Sequence, residues 1–184
     1  MVSETASPRR TELLEAAYGY ALAHGLADLS LRPLAAAIGS SPRVLLYLFG
    51  SKEGLIRELL ARARADEVAL LRSAPAGGLA ETTLMIWGWL SDPAHRALLT
   101  LWTEAYARSL IDPDGPWSAF AAETVRDWLA LLAAAQPESI RDTPAAEAAR
   151  TAALALLRGA LLDLLATGDH ARTTAAVHAA LPPG

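Results

Sequence analysis

The chain has 184 residues, of which 53% are hydrophobic and 20% charged, with a formal net charge of −4 and no cysteine. That length can bury one large core or two small ones, and the missing thiols exclude disulfides, thiolate nucleophiles and cysteine-ligated zinc or iron–sulfur centres. Net acidity argues against a protein that coats nucleic acid, yet the charge is uneven: residues 1–64 hold eight Lys and Arg against six Asp and Glu, residues 65–184 eight against fourteen.

Ala and Leu are plentiful and β-branched residues few, a mix that predicts an all-α fold. The start, MVSETASPRR, lacks an apolar signal region, and charges interrupt every hydrophobic run before the roughly 18 residues of a spanning helix; a cytoplasmic protein is the expectation.

Apolar positions at Leu13, Leu14, Ala17, Tyr20 and Ala21 predict a first helix over Pro8–His24, ended by Gly25. Ser30 is placed to cap a second, short helix reaching Ile38, with Pro33 at its third position, where the missing N–H has no intrahelical role. Gly39 ends it. After Ser40, Ser41 is the N-cap and Pro42 the first residue of a third helix running to about Leu48. Two short helices joined by a tight glycine-containing turn make a helix-turn-helix. On the third, Leu45, Leu48 and Phe49 share one face, which leaves Pro42, Arg43, Leu46 and Tyr47 directed elsewhere.

Gly50 and Ser51 start a fourth helix reaching about Arg72, able to bridge two bodies, and SAPAGG at Ser73–Gly78 reads as a break. Further helices are expected near Leu79–Leu90, Pro93–Ile111, Trp117–Ala135, Pro144–Thr167 and Asp169–Leu181, interrupted by SDP, DPDGP, QPESIRDTP and TGD.

The stretch from Leu13 to Leu55 resembles the DNA-binding domain of the tetracycline-repressor (TetR) family of bacterial regulators. The resemblance rests on Ala16 and Ala17, Gly25, Ser30, Leu34-Ala35, Gly39, Leu45, Tyr47, Phe49 and the SKE of Ser51–Glu53. Ser40-Ser41, Leu46 and Leu48 depart from the usual pattern. The resemblance implies an all-helical homodimer with a three-helix reading head in residues 1–50 and, in residues 51–184, a larger body that senses a small molecule and dimerises. Repression by a dimer bound to a palindromic operator, released by a small molecule, is the implied function, and the aromatic-rich segment between residues 87 and 128 suits a hydrophobic or planar aromatic one. No cofactor and no membrane partner are expected.

Chemistry supports the head. Arg43 can pair with guanine O6 and N7, Val44 with a thymine methyl, and Pro42 adds apolar contact, while Ser41 and Tyr47 suit the backbone and Ser40 is a further candidate DNA contact. Lys52, at the positive end of the fourth helix, suits a phosphate. Arg32, Arg9 and Arg10 supply nonspecific, salt-sensitive attraction.

All five tryptophans lie between residues 87 and 128. Trp87, Trp89, Trp102, Thr103, Tyr106, Trp117 and Trp128 are the candidate ligand lining, with Trp117, Phe120 and Trp128 sharing a helical face and Glu104, Arg108 or His95 adding polarity. Aromatics so placed also serve as ordinary core. Ala148, Ala152, Ala155 and Gly159 form a small-residue stripe beside an apolar one of Leu154, Leu157, Leu161 and Leu165. Together with Leu162, Thr173, Ala176, Val177 and Ala180, the small stripe is the candidate dimer face.

Four histidines show no metal-ligand spacing, and no nucleophile elbow or phosphate loop is present, so an enzyme is not expected. Ser109 and Asp112 lie near each other in sequence, but a triad also needs a positioned base, which sequence does not show. The competing reading is a helical dimeric small-molecule-binding or interaction module without specific DNA binding.

Overall fold

The computed structural model describes residues 8–26, 29–71 and 78–181, and their regular structure is all helical. In chain order the helices are α1 (Pro8–His24), α2 (Leu31–Ala37), α3 (Pro42–Phe49), α4 (Lys52–Leu71), α5 (Leu79–Leu90), α6 (Arg96–Ile111), α7 (Phe120–Ala134), α8 (Glu138–Arg141), α9 (Pro144–Thr167) and α10 (His170–Ala180). A single 3-10 turn, Pro93–His95, precedes α6. The break expected at Ser73–Gly78 lies outside the described residues except for Gly78. No helix among the described residues is long and apolar enough to cross a membrane.

Three expectations need correction. The helix expected from Pro93 begins as that 3-10 turn, because the Asp92 carboxylate accepts the Ala94 N–H at 2.8 Å and tightens the first turn. The helix expected from Trp117 begins only at Phe120: Ala119 stands at φ +66°, a left-handed conformation that breaks helical phase, so Trp117 does not share a helical face with Phe120 and Trp128. The stretch QPESIRDTP, expected as an interruption, holds α8. There the buried Gln136 donates to the Ala146 carbonyl at 2.8 Å, and Arg150 donates to both Gln136 Oε1 (3.1 Å) and the Arg141 carbonyl (2.7 Å).

The chain forms two compact units, Met1–Glu67 with Thr100–Ala121, and Val68–Leu99 with Ala122–Gly184. In the first, α2 packs on α1 and α3. Leu13, Ala17, Tyr18 and Ala21 of α1, Leu34 and Ala35 of α2, Leu45 and Phe49 of α3, and Leu55, Ile56, Leu59 and Leu60 of α4 are all buried. Each fully buried leucine contributes about 1.5–3 kcal/mol. Ion pairs on the rim tie the helices together: Arg62 donates to Glu15 at 2.7 Å and lies over the Tyr18 ring, and Arg10 donates to Glu58 at 2.7 Å.

In the second unit α9 packs on α10 and α5, and α10 on α5. The buried row on α9 is Ala153, Leu154, Leu157, Leu161 and Leu164, with Leu165 only half-buried. The α9–α10 corner is closed by Arg172, which donates to both oxygens of Asp163 at 2.6 and 2.7 Å. This arginine holds the Asp163 carboxyl below its ordinary value of 3.8, and the Asp163 hydrogen bond in turn raises Arg172.

Candidate nucleic-acid interface

The turn between α2 and α3 is built by local chemistry. α2 ends at Ile38, whose N–H reaches the Leu34 carbonyl, and Gly39 follows at φ +64°. Ser30 occupies the N-cap position of α2 but makes no side-chain capping bond. Ser41 does cap α3: its Oγ accepts the Val44 N–H at 3.3 Å, with Pro42 in the first turn. Leu45 and Phe49 face inward and are buried, which fixes the rotation of α3 and turns its other face out. On that face Arg43 is exposed, Val44 is 39% exposed, Leu46 42% and Tyr47 87%. A tyrosine that open is unusual for packing, since its ring is mostly apolar surface.

The other expected contact residues take varied places. Arg32 is exposed on α2, Ser41 and Pro42 are half-buried at the start of α3, and Lys52 is half-buried at the start of α4. Ser40 is half-buried, and its Oγ has no hydrogen-bond partner among the described residues. Arg10, expected among the nonspecific cations, is instead an internal strut: besides Glu58 it reaches the Leu48 carbonyl at 3.4 Å and covers the Phe49 ring. Its charge therefore braces the end of α3.

The start of α4 already carries its own anion. Ser51 Oγ accepts the Gly54 N–H at 2.9 Å. Glu53 titrates below the ordinary carboxylate range because its own backbone N–H hydrogen-bonds the carboxylate, with the Ser51 hydroxyl as a second donor. An incoming phosphate at this helix end meets Lys52 favourably and Glu53 unfavourably.

The seven expected lining residues fall in two units. Trp102, Thr103, Tyr106 and Trp117 belong to the first; Trp102 and Tyr106 stack at 5.1 Å, and Trp117 is buried. Trp87, Trp89 and Trp128 belong to the second. Trp87 is buried and donates to Thr174 Oγ1 at 3.0 Å, Trp128 is buried, and Trp89 stacks on His95 at 4.1 Å while His95 Nδ1 lies 2.9 Å from the Trp89 carbonyl. Glu104 points at the turn after α1, where Oε2 accepts the Leu26 N–H at 2.9 Å. Ser109 is buried and accepts the Ala121 N–H at 3.2 Å, which orders the first turn of α7. A separate cleft of about 160 Å³ in the second unit is lined by Leu90, Asp92, Arg96, Leu164 and His170 among others, none of them an expected pocket residue.

On the expected dimer face Ala148, Ala152, Ala155 and Gly159 are exposed, as are Ala176 and Ala180, and Leu162 is 52% exposed. Thr173 and Val177 are buried within the chain, because the same α10 face that carries them packs into its own subunit. Leu162 sits on the outer face of α9, where the leucine-rich pattern alone does not separate it from Leu161.

Residues 13–59 match the family described as bacterial regulatory proteins, tetR family. No curated protein matches the chain by sequence. Among solved structures, the multidrug-binding protein EbrR in its imidazole complex is 25% identical, with 97% of this chain and 93% of that one covered at a TM-score of 0.71. A transcriptional regulator from Rhodococcus sp. Rha1 shares 19% identity over 92% and 94% of the two chains at 0.74, and EbrR with proflavin shares 24% over 93% and 98% at 0.68. The matched segment contains α2, the turn and α3 with its outward Arg43 and Tyr47, so residues 13–59 are similar to the DNA-binding segment of tetR-family regulatory proteins.

Proposed function

We propose that the chain is a ligand-responsive repressor that binds a palindromic operator as a homodimer and leaves it when a hydrophobic or aromatic molecule binds. Residues 1–50 form the reading head in this scheme, and residues 51–184 the sensing and dimerising body. The observation that carries it is the outer face of α3, where Arg43, Val44 and Tyr47 stand clear of the core beside a capped N-terminus. Such a helix enters the major groove with its first turns against base edges.

Dimerisation is supported by the open stripe on α9, where Ala148, Ala152, Ala155 and Gly159 permit close approach of a second helix and Leu162 offers apolar area. With Thr173 and Val177 inside the subunit, Ala176 and Ala180 are the α10 residues left to meet a partner. Two recognition helices one DNA turn apart, roughly 34–36 Å, read a palindrome. EbrR has been crystallised with imidazole, proflavin and malachite green, and the stacked Trp102–Tyr106 pair of α6 suits a ligand of the flat apolar kind. Release then amounts to the ligand's differential affinity for two conformers.

The test is selection of bound duplexes from a random pool at low and physiological salt. A palindrome retained at the higher salt establishes specific dimeric binding. Recovery of salt-sensitive, sequence-independent duplexes alone refutes it and favours the interaction module.

A further inference from the structure

We infer that Glu104 is a positioning residue for the reading head: its carboxylate, carried on α6, latches the turn between α1 and α2 and so sets the orientation in which α2 and α3 meet DNA. The inference rests on the DNA-binding reading above and adds to it the element that aims the head.

Glu104 is 78 residues from the backbone it holds. Oε2 accepts the Leu26 N–H at 2.9 Å, at the point where α1 has ended and the chain turns toward α2. Gly25 shapes the approach. It stands at φ +79°, a conformation that favours glycine, and a β-carbon there would lie 3.2 Å from Glu104 Oε2, a tight contact that the carboxylate would have to relieve by a few tenths of an ångström. Leu26 and Leu29 are both buried, and the Leu29 N–H donates to the Leu26 carbonyl at 3.2 Å, so the residue that Glu104 holds is anchored by apolar contact as well as by the bond.

The second oxygen of the same carboxylate makes the arrangement costly. Oε1 is buried and has no hydrogen-bond partner among the described residues. A buried oxygen left without a donor is unfavourable, and an apolar side chain of similar size packs such a place at less cost. What the carboxylate supplies instead is direction: a strong, charge-assisted bond to one backbone N–H adds an orientational restraint that non-directional apolar packing lacks. α2 begins five residues after Leu26. A shift at this turn therefore reaches the recognition helix with little chain to absorb it, and specific binding requires two such helices at a fixed separation.

The full-length chain with Glu104→Ala, Glu104→Gln and Gly25→Ala tests this by amide hydrogen exchange and by titration with the duplex selected above and with a scrambled duplex. Glu104→Ala is expected to speed exchange at the Leu26 amide about tenfold and to weaken binding of the selected duplex by a similar factor, with scrambled-duplex binding unchanged. Glu104→Gln keeps a carbonyl oxygen that accepts the same bond and restores both. Gly25→Ala, which strains the backbone beside Leu26 and crowds the carboxylate, is expected to speed Leu26 exchange as well. Unchanged Leu26 exchange in Glu104→Ala, or unchanged discrimination between the duplexes, overturns the latch. So does a general loss of protection along α1 and α2 that glutamine fails to restore, since that is a merely structural role. If the wild-type chain selects no palindrome, the proposed function itself has failed and the latch falls with it, a result distinct from variants that behave like a DNA-binding wild type.

Discussion

The Arg10 guanidinium lies 5.2 Å from the centre of the Phe49 ring while donating to Glu58, so one side chain from the first turn of α1 braces both the end of α3 and the middle of α4. Removing it is expected to loosen the recognition helix without removing a phosphate contact. Arg10→Ala should lower stability by about 1 kcal/mol, since the cation–π and half-exposed ion-pair contributions are each modest. The slope of log affinity against log salt should stay as in wild type. A slope reduced by about one unit would instead make Arg10 a phosphate ligand.

Gly54 offers a test of the α3–α4 joint. In isolation an alanine there favours helix by about 1 kcal/mol over glycine. Here, however, a β-carbon would overlap the Phe49 carbonyl oxygen, which is backbone and already accepts the Ser51 N–H at 2.9 Å. Gly54→Ala should therefore destabilise by about 1–3 kcal/mol in urea unfolding, the opposite sign from the propensity scale.

Contacts on the outer face of α3 and at the start of α4 separate by their signatures. Arg43→Ala should cost about 1–3 kcal/mol on the selected duplex and relax the preference at one base pair. Lys52→Ala should weaken all duplexes alike and reduce the salt slope by about one. Glu53→Gln should strengthen binding a few-fold, roughly, because it removes the anion that competes for the same helix end. Quantitative titrations over a salt series resolve the three.

The Asp163–Arg172 clamp predicts a pH dependence of defined sign. Asp163 has a lowered folded-state value, so the unfolded chain binds its proton first as pH falls, and the stabilisation is fully present above the unfolded value of 3.8. It is lost as pH falls below that through the lowered folded value. The difference in urea midpoint between wild type and Asp163→Asn should be constant from about pH 5 to 8 and shrink below about pH 4. A difference that grows on acidification would contradict the clamp.

Ala155→Arg and Leu162→Glu place charge on the open stripe of α9 without touching its buried face. Both should give monomers in sedimentation equilibrium, with unfolding midpoints that are lowered and no longer rise with protomer concentration, and at least about tenfold weaker operator binding. Dimers of unchanged affinity would move the interface elsewhere.

By itself the sequence determined what depends on neighbours within a few residues. The bounds of α1, α5 and α9, the Ser41 cap and the outward set of Arg43 and Tyr47 follow from periodicity, proline and glycine placement and capping chemistry, all of which act over one or two helical turns. The all-α composition and the uneven charge were equally legible. Tertiary structure alone decided the fates that depend on distant partners. Arg10 became a strut because Glu58 lies 48 residues on, Glu104 a latch because Leu26 lies 78 back, and Trp87 a core residue whose N–H meets Thr174, 87 positions away. Thr173 and Val177 turned inward for the same reason. Helical spacing shows that residues share a face, but whether that face meets its own subunit, a second copy or solvent is settled only by which other helices compete for it.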